Sequence, residues 1–231
     1  SQADGTAVLS VDTTNARVGI GTTAPNSELE VAVADNNPTI SLTRVDGSIT
    51  DGNAIGNIDF EMFDGSSDRD VGARILAEAG ETHDGANFGT DLSFWTADNT
   101  SSTLTRRMQI LDDGNVGIGT TAPGFNLEVE ETTAGSTGQI LVDHTDAGNT
   151  ASHSKITMRT GGAGGGDPHL GFIINGVDEW CMGIDNSDSD KFKISDGAAL
   201  GTNDRLVIDT SGKVGIGTTA PNSELEVAVA D

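Results

Sequence analysis

Residues 17–31 read Arg17-Val18-Gly19-Ile20-Gly21-Thr22-Thr23-Ala24-Pro25-Asn26-Ser27-Glu28-Leu29-Glu30-Val31. The string returns at 115–129 as Asn115-Val116-Gly117-Ile118-Gly119-Thr120-Thr121-Ala122-Pro123-Gly124-Phe125-Asn126-Leu127-Glu128-Val129. A third copy runs Lys213-Val214-Gly215-Ile216-Gly217-Thr218-Thr219-Ala220-Pro221-Asn222-Ser223-Glu224-Leu225-Glu226-Val227. Val18, Val116 and Val214 stand 98 residues apart, and residues 18–35 recur unchanged as 214–231. A fixed period of this kind marks a tandem array. It predicts the end of a preceding module at 1–17, modules at 18–115 and 116–213, and the start of another at 214–231. With Ser1 in place of an initiator Met, the chain reads as a window from a longer array.

Within each copy the Val and Ile fall on one face of an extended strand and the two glycines on the other. A glycine face lets another backbone approach closely. Pro25, Pro123 and Pro221 then end the ladder and set a turn. Gly19, Gly21, Gly117, Gly119, Gly215 and Gly217 are therefore expected to build the structural turn of the repeat, in narrow connectors where several chains interlock. A phosphate-cradling loop does not fit, because that motif needs a third glycine and a following helix. Here Thr-Thr-Ala-Pro and a second strand follow.

Outward from the repeat, two-residue alternation dominates, the pattern of half-buried strands. It appears at Leu29, Val31 and Val33, at Ile40 and Leu42, and at Ile58, Phe60 and Met62. It recurs at Met108 and Ile110, Ile140 and Val142, Ile156 and Met158, and Phe192 and Ile194. Turn signals such as Asp46-Gly47, Asp51-Gly52-Asn53, Asp64-Gly65 and Asp113-Gly114-Asn115 separate the runs. Apolar lead-ins at 9–12, 108–111 and 206–209 precede each copy. Trp180 lies farther from its following repeat than Trp95 does, which predicts an extra strand at 191–194. Residues 70–79 alone read as a short helix, against which Gly72 counts. The fold class is all-β, in tandem modules.

Composition narrows function. Lys+Arg number 12 and Asp+Glu 36, a net charge of −24. Nucleic acid and anionic membrane surfaces both require basic patches, so neither is an expected partner. Membrane insertion is not expected either, since no apolar run approaches the ~18 residues of a spanning helix. The acidity is spread along the chain and would oppose sideways association of an edge-rich β object. With no Tyr, 2 Trp and 7 Phe, an aromatic-lined pocket is hard to assemble. The cores should be thin and call for partner subunits.

The string from Gly114 to Pro123, preceded by Arg107-Met108-Gln109-Ile110 and followed by Leu127-Glu128-Val129, resembles the repeat of bacteriophage tail fibres and related virion appendages. The resemblance implies an elongated, β-rich homotrimer that reaches toward a host surface. In that family the repeat often precedes an intramolecular chaperone that cleaves itself off. That domain is not visible in this sequence, so no protease activity is implied.

Candidate sites are few. Asp185, Asp188 and Asp190 lie in an oxygen-rich loop that could hold calcium, although a solvated acidic turn accounts for them as well. Residues 161–167 faintly resemble a calcium-binding β-roll but read better as a hairpin loop. His144 and His153 flank a turn near Asp143 and Asp146, while His83 and His169 stand elsewhere; the spacing matches no standard metal pattern. Carboxylates abound, yet there is no aromatic platform for sugar rings. Cys181, Trp95 and Trp180 read as module core. Receptor contacts, to a host-surface glycan or protein, would fall in loops 96–103, 161–168 and 186–190.

The expectation is a structural, non-enzymatic shaft segment of an extracellular fibre, without cofactor, whose partner is itself. The alternative is a bacterial surface adhesin or self-assembling filament of tandem β-sandwich modules, stabilised by calcium.

Overall fold

The computed structural model describes residues 8–34, 37–63, 65, 70–98, 101–145, 148, 153–162 and 164–228, with 101 and 102 as backbone only. Asp64 and Asp146, named above, lie outside the described residues, as do position 163 of the loop expected at 161–168 and positions 99–100 of that expected at 96–103. The chain divides into two compact units, Ser1–Ile140 and Leu141–Asp231.

Unit 1 holds two sheets. The first joins β1 (Leu9–Asp12), β2 (Arg17–Ile20) and β3 (Leu29–Val31). The second joins β4 (Ala54–Met62), β5 (Asp70–Ala79), β6 (Thr90–Asp98), β7 (Ser101–Ile110), β8 (Val116–Ile118) and β9 (Leu127–Val129) in sequence order. Unit 2 is a six-stranded sheet of β10 (His169–Ile174), β11 (Asp178–Asp185), β12 (Lys191–Asp196), β13 (Asp204–Ile208), β14 (Val214–Ile216) and β15 (Leu225–Val227). A 3-10 turn, Asn186–Asp188, is the single helical element among the described residues. The expected extra strand is β12.

Each sheet ends in the same three-strand unit. A lead-in strand pairs antiparallel with the Val-Gly-Ile strand, which pairs in parallel with the Leu-Glu-Val strand. The registers agree: Val18 faces Leu29, Val116 faces Leu127 and Val214 faces Leu225. The repeat is therefore an integral edge of each sheet.

Residues 70–79 are a correction to the helical reading: they form β5. Ala73, Ile75 and Ala77 alternate with Arg74, Leu76 and Glu78, and β5 pairs with both β4 and β6. Ladder bonds on two sides outweigh the modest helix preference of Ala and Leu. Residues 96–103 are likewise mostly strand, since β6 runs to Asp98 and β7 begins at Ser101. The alternating stretches 40–42, 140–142 and 156–158 belong to no ladder among the described residues.

The hairpin before each repeat turns on a carboxylate. Asp12 Oδ1 accepts from the amides of Thr14 and Asn15, and Asp209 Oδ1 from those of Ser211 and Lys213. Gly114 and Gly212 then take left-handed φ values of 90° and 89°, but the first copy places Ala16 there at 53°. A Cβ in that region is disfavoured by about 1–2 kcal/mol, offset in part by the larger unfolded-state entropy of glycine. Ala16→Gly should stabilise unit 1 by about 0.5 kcal/mol, read as a higher thermal midpoint; a lower midpoint would contradict it.

Candidate functional site

The glycines of the repeat are covered, and the backbone that covers them belongs to the same chain. A Cβ on Gly19, Gly117 or Gly215 would lie within 2.6 Å of the carbonyl oxygen of Thr22, Thr120 or Thr218. Gly21, Gly119 and Gly217 have φ of 74°, 79° and 71°. Their Cβ atoms would collide with the carbonyls of Ala32, Glu130 and Ala228, just beyond the parallel strand. The close approach expected from glycine spacing exists, but here it is intramolecular.

The other repeated residues hold this fold-back. Thr22 Oγ1 accepts from the Ala24 amide at 3.3 Å, and Pro25, Pro123 and Pro221 are buried. The carboxylates of Glu30, Glu128 and Glu226 accept from the amide after each proline, at 2.6, 2.8 and 2.7 Å. The first copy adds Arg17 Nη1, which donates to the Pro25 carbonyl at 2.9 Å.

Strand register sorts the side chains of each six-stranded sheet into an apolar and a polar face. In unit 1, Ile58, Ile75, Phe94, Met108, Ile118 and Val129 form one unbroken row across all six strands. In unit 2, Leu170, Met182, Ile194, Leu206, Ile216 and Val227 form the corresponding row. None of these twelve residues is buried. Phe172 is 55% exposed, Ile58 53% and Val227 61%.

The opposite face is the buried one. Its row in unit 1 contains Leu76, Ser93 and Gln109, all buried. In unit 2 it contains Lys193 and Val207, with Cys181 and Ser195 beside them, all buried. Cys181 is a core residue, as expected. Trp180 is not, because it stands on the open apolar face; Trp95 donates through Nε1 to Ser93 Oγ at 2.7 Å, under the Arg106 guanidinium.

Six strands about 4.8 Å apart make a face roughly 24 Å wide and 17 Å along the strands. That is about 400 Å², within the ~300–600 Å² of the largest apolar patch on an ordinary monomer. The chain carries two such faces.

The polar face of unit 2 encloses an ammonium group. Lys193 Nζ lies 2.7 Å from Asp185 Oδ2, 2.7 Å from Asp188 Oδ2 and 3.0 Å from Asp204 Oδ2. Lys193, Asp185 and Asp204 are each only 2% exposed. Burial acts against the charge of Lys193, but its carboxylate partners outweigh it and raise the amine above the usual lysine value. Burial likewise opposes the charge on Asp185, and Lys193 and Ser187 outweigh it, so its carboxyl sits below the usual range. Hydrogen bonds from Lys193 and Lys191 hold Asp188 low as well. Asp185 Oδ1 accepts from Ser187 Oγ and from the amides of Ser187 and Asp188, fixing the 3-10 turn.

Two of the three carboxylates considered for calcium are thus gathered round Lys193, while Asp190, at φ 59°, takes no part in this cluster. Among the described residues no three His, Cys, Asp or Glu side chains are grouped to hold a metal ion. His83 Nε2 donates to the Gly89 carbonyl, and His169 Nδ1 to that of Asp167, both at 3.0 Å. The glycine-rich loop is clamped by Asn186, whose Nδ2 donates to the Gly165 carbonyl at 2.9 Å. Lys193 was not singled out in the sequence, because its alternation with Phe192 and Ile194 assigns it to a face expected to meet solvent.

Lys193→Met should destabilise unit 2 by about 3 kcal/mol at neutral pH, since it strands two buried carboxylates. Asp185 and Asp188 have folded pKa values below the unfolded one, about 3.9. Their contribution is therefore present above pH ~4 and lost as pH falls through the lower folded values. The gap between wild type and variant should close below pH ~4 in thermal melts. A gap independent of pH would contradict this account.

Solved structures of similar fold include two of the bacteriophage T5 L-shaped tail fibre. Its carboxy-terminal domain matches with a TM-score of 0.57 at 10% identity, over 84% of this chain and 90% of that one. The same domain with its intramolecular chaperone domain gives 0.58 at 11% identity, over 84% of this chain and 62% of that one. The chain shares the all-β fold of these tail-fibre domains. No protein-family model and no curated protein matches the sequence.

Proposed function

We propose that the chain is a structural, non-enzymatic shaft segment of an extracellular fibre of the phage tail-fibre type, and that it works as a homotrimer. The observation that supports this most is the inversion of each six-stranded sheet: the face carrying Ser93 and Gln109, or Lys193 and Ser195, is buried, and the apolar row is not. Three such sheets, one from each chain, close a prism with their apolar faces inward. The likeness to the T5 tail-fibre domains supports the fibre, and the resemblance of the repeat implies the number three.

In this reading the net charge of −24 sits on the outer faces, where it keeps fibres apart and soluble. The role in host attachment is mechanical: the shaft sets reach and stiffness for a receptor-binding tip on a virion appendage. The segment needs no cofactor. The Lys193 ammonium supplies the cation its acidic turn requires, so EDTA should leave the thermal midpoint unchanged; a clear drop would favour a calcium-stiffened adhesin. Sedimentation velocity tests the shape. A three-chain particle with a high frictional ratio is expected, and a compact single-chain particle would overturn the proposal.

A further inference from the structure

Three stretches have the sequence pattern of strands and no strand partner among the described residues. Residues 38–43, 139–142 and 155–158 lie outside every strand and turn, and no backbone hydrogen bond links them to any other described residue. Their alternating apolar side chains face solvent: Ile40 is 71% exposed, Ile140 70% and Ile156 70%. Exposed apolar alternation with an unpaired backbone is the signature of a strand lacking its neighbour. We infer that residues 38–43, 139–142 and 155–158 are strands completed in trans, their backbone ladders made with other copies of this chain.

Three observations point to a second copy as the occupant. First, the stretches border the apolar faces. Leu42 lies against Gly56 on the face of unit 1, Ile140 lines a hollow there with Leu127 and Val129, and Met158 lines one in unit 2 with Ile184. Second, residues 38–43 and 139–142 carry no charged side chain, and 155–158 carry only Lys155, in a chain where 21% of residues are charged. Like charges directly opposite one another destabilise paired strands, and these segments bring almost none. Third, β4, which Leu42 touches at Gly56, and β10, whose preceding Pro168 shares a hollow with Met158, stand at sheet edges and have a ladder partner on one side only among the described residues. Interlocking thus belongs to these segments, since the Gly-x-Gly turns are closed on their own chain.

The inference rests on the proposed trimer, and one experiment separates the two. Amide hydrogen exchange is followed on the intact protein whose mass has been fixed by light scattering. In a three-chain particle the amides of 38–43, 139–142 and 155–158 should exchange about 100-fold or more slowly than in unstructured peptide. A three-chain particle in which they exchange at peptide rates would overturn the inference and leave the fibre reading intact. A single-chain particle would overturn the fibre reading itself, and with it the inference.

Discussion

Gly119→Ala should lower the thermal midpoint of the protein by roughly 15 °C. Two effects add. At φ 79° an alanine carries the left-handed penalty of about 1–2 kcal/mol. Its Cβ would also press on the carbonyl of Glu130, a backbone atom with no flexible end to yield. The parallel β8–β9 pair is tied there by the Glu130 amide donating to the Ile118 carbonyl at 2.9 Å. Forcing that pair apart adds about 1–3 kcal/mol, the usual scale of overpacking. Gly114→Ala is the control, because Gly114 has a φ of 90° but nothing within 4 Å of its would-be Cβ. It should cost about 1 kcal/mol, read as a fall of roughly 4 °C. Differential scanning calorimetry compares them directly. Equal falls would mean that left-handed strain alone sets the glycine requirement and that the fold-back contact contributes nothing.

Phe172→Asp should abolish assembly, while Ile173→Asp, one residue along, should leave it intact. Both side chains are apolar and exposed in the single chain, 55% and 67%. They differ in direction. Phe172 pairs with Trp180 on the open apolar face, and Ile173 pairs with Glu179 on the opposite face. A surface substitution in an isolated monomer ordinarily changes stability by less than about 0.5 kcal/mol. In a particle closed through the apolar faces, each copy would instead bury an unpaired carboxylate, at several kcal/mol apiece. The variant should appear as a single chain by light scattering and retain its far-ultraviolet β signal. If the two variants behave alike, sheet facing does not decide assembly.

Much of the fold is legible in the sequence because the strand period is 2 and the chain has few competing signals. Ile58-Phe60-Met62, Met108-Ile110 and Phe192-Ile194 alternate cleanly and form parts of β4, β7 and β12. Residues 70–79 misdirect because Arg, Leu, Ala and Glu suit a helix locally, and only β4 and β6, distant in sequence, make them a strand. The candidate site was half legible. Glycine spacing correctly requires a close backbone approach, but spacing alone carries no information on whose backbone approaches.

The inversion of burial was invisible for a related reason. Alternation tells which residues share a face, and convention assigns the apolar face to the chain's own core. Lys193, Asp185 and Asp204 break that convention: their mutual neutralisation lets a charged face be the covered one. The row running from Leu170 to Val227 is left without a buried residue.

The most direct test of the central claim is the solution mass of the chain by light scattering. Open apolar faces closed by identical copies predict three times 23.6 kDa, about 71 kDa, independent of dilution across the micromolar range. A particle of 23.6 kDa that stays folded and soluble would mean the apolar faces stand open in water, and the account of this protein as an assembled fibre would be contradicted.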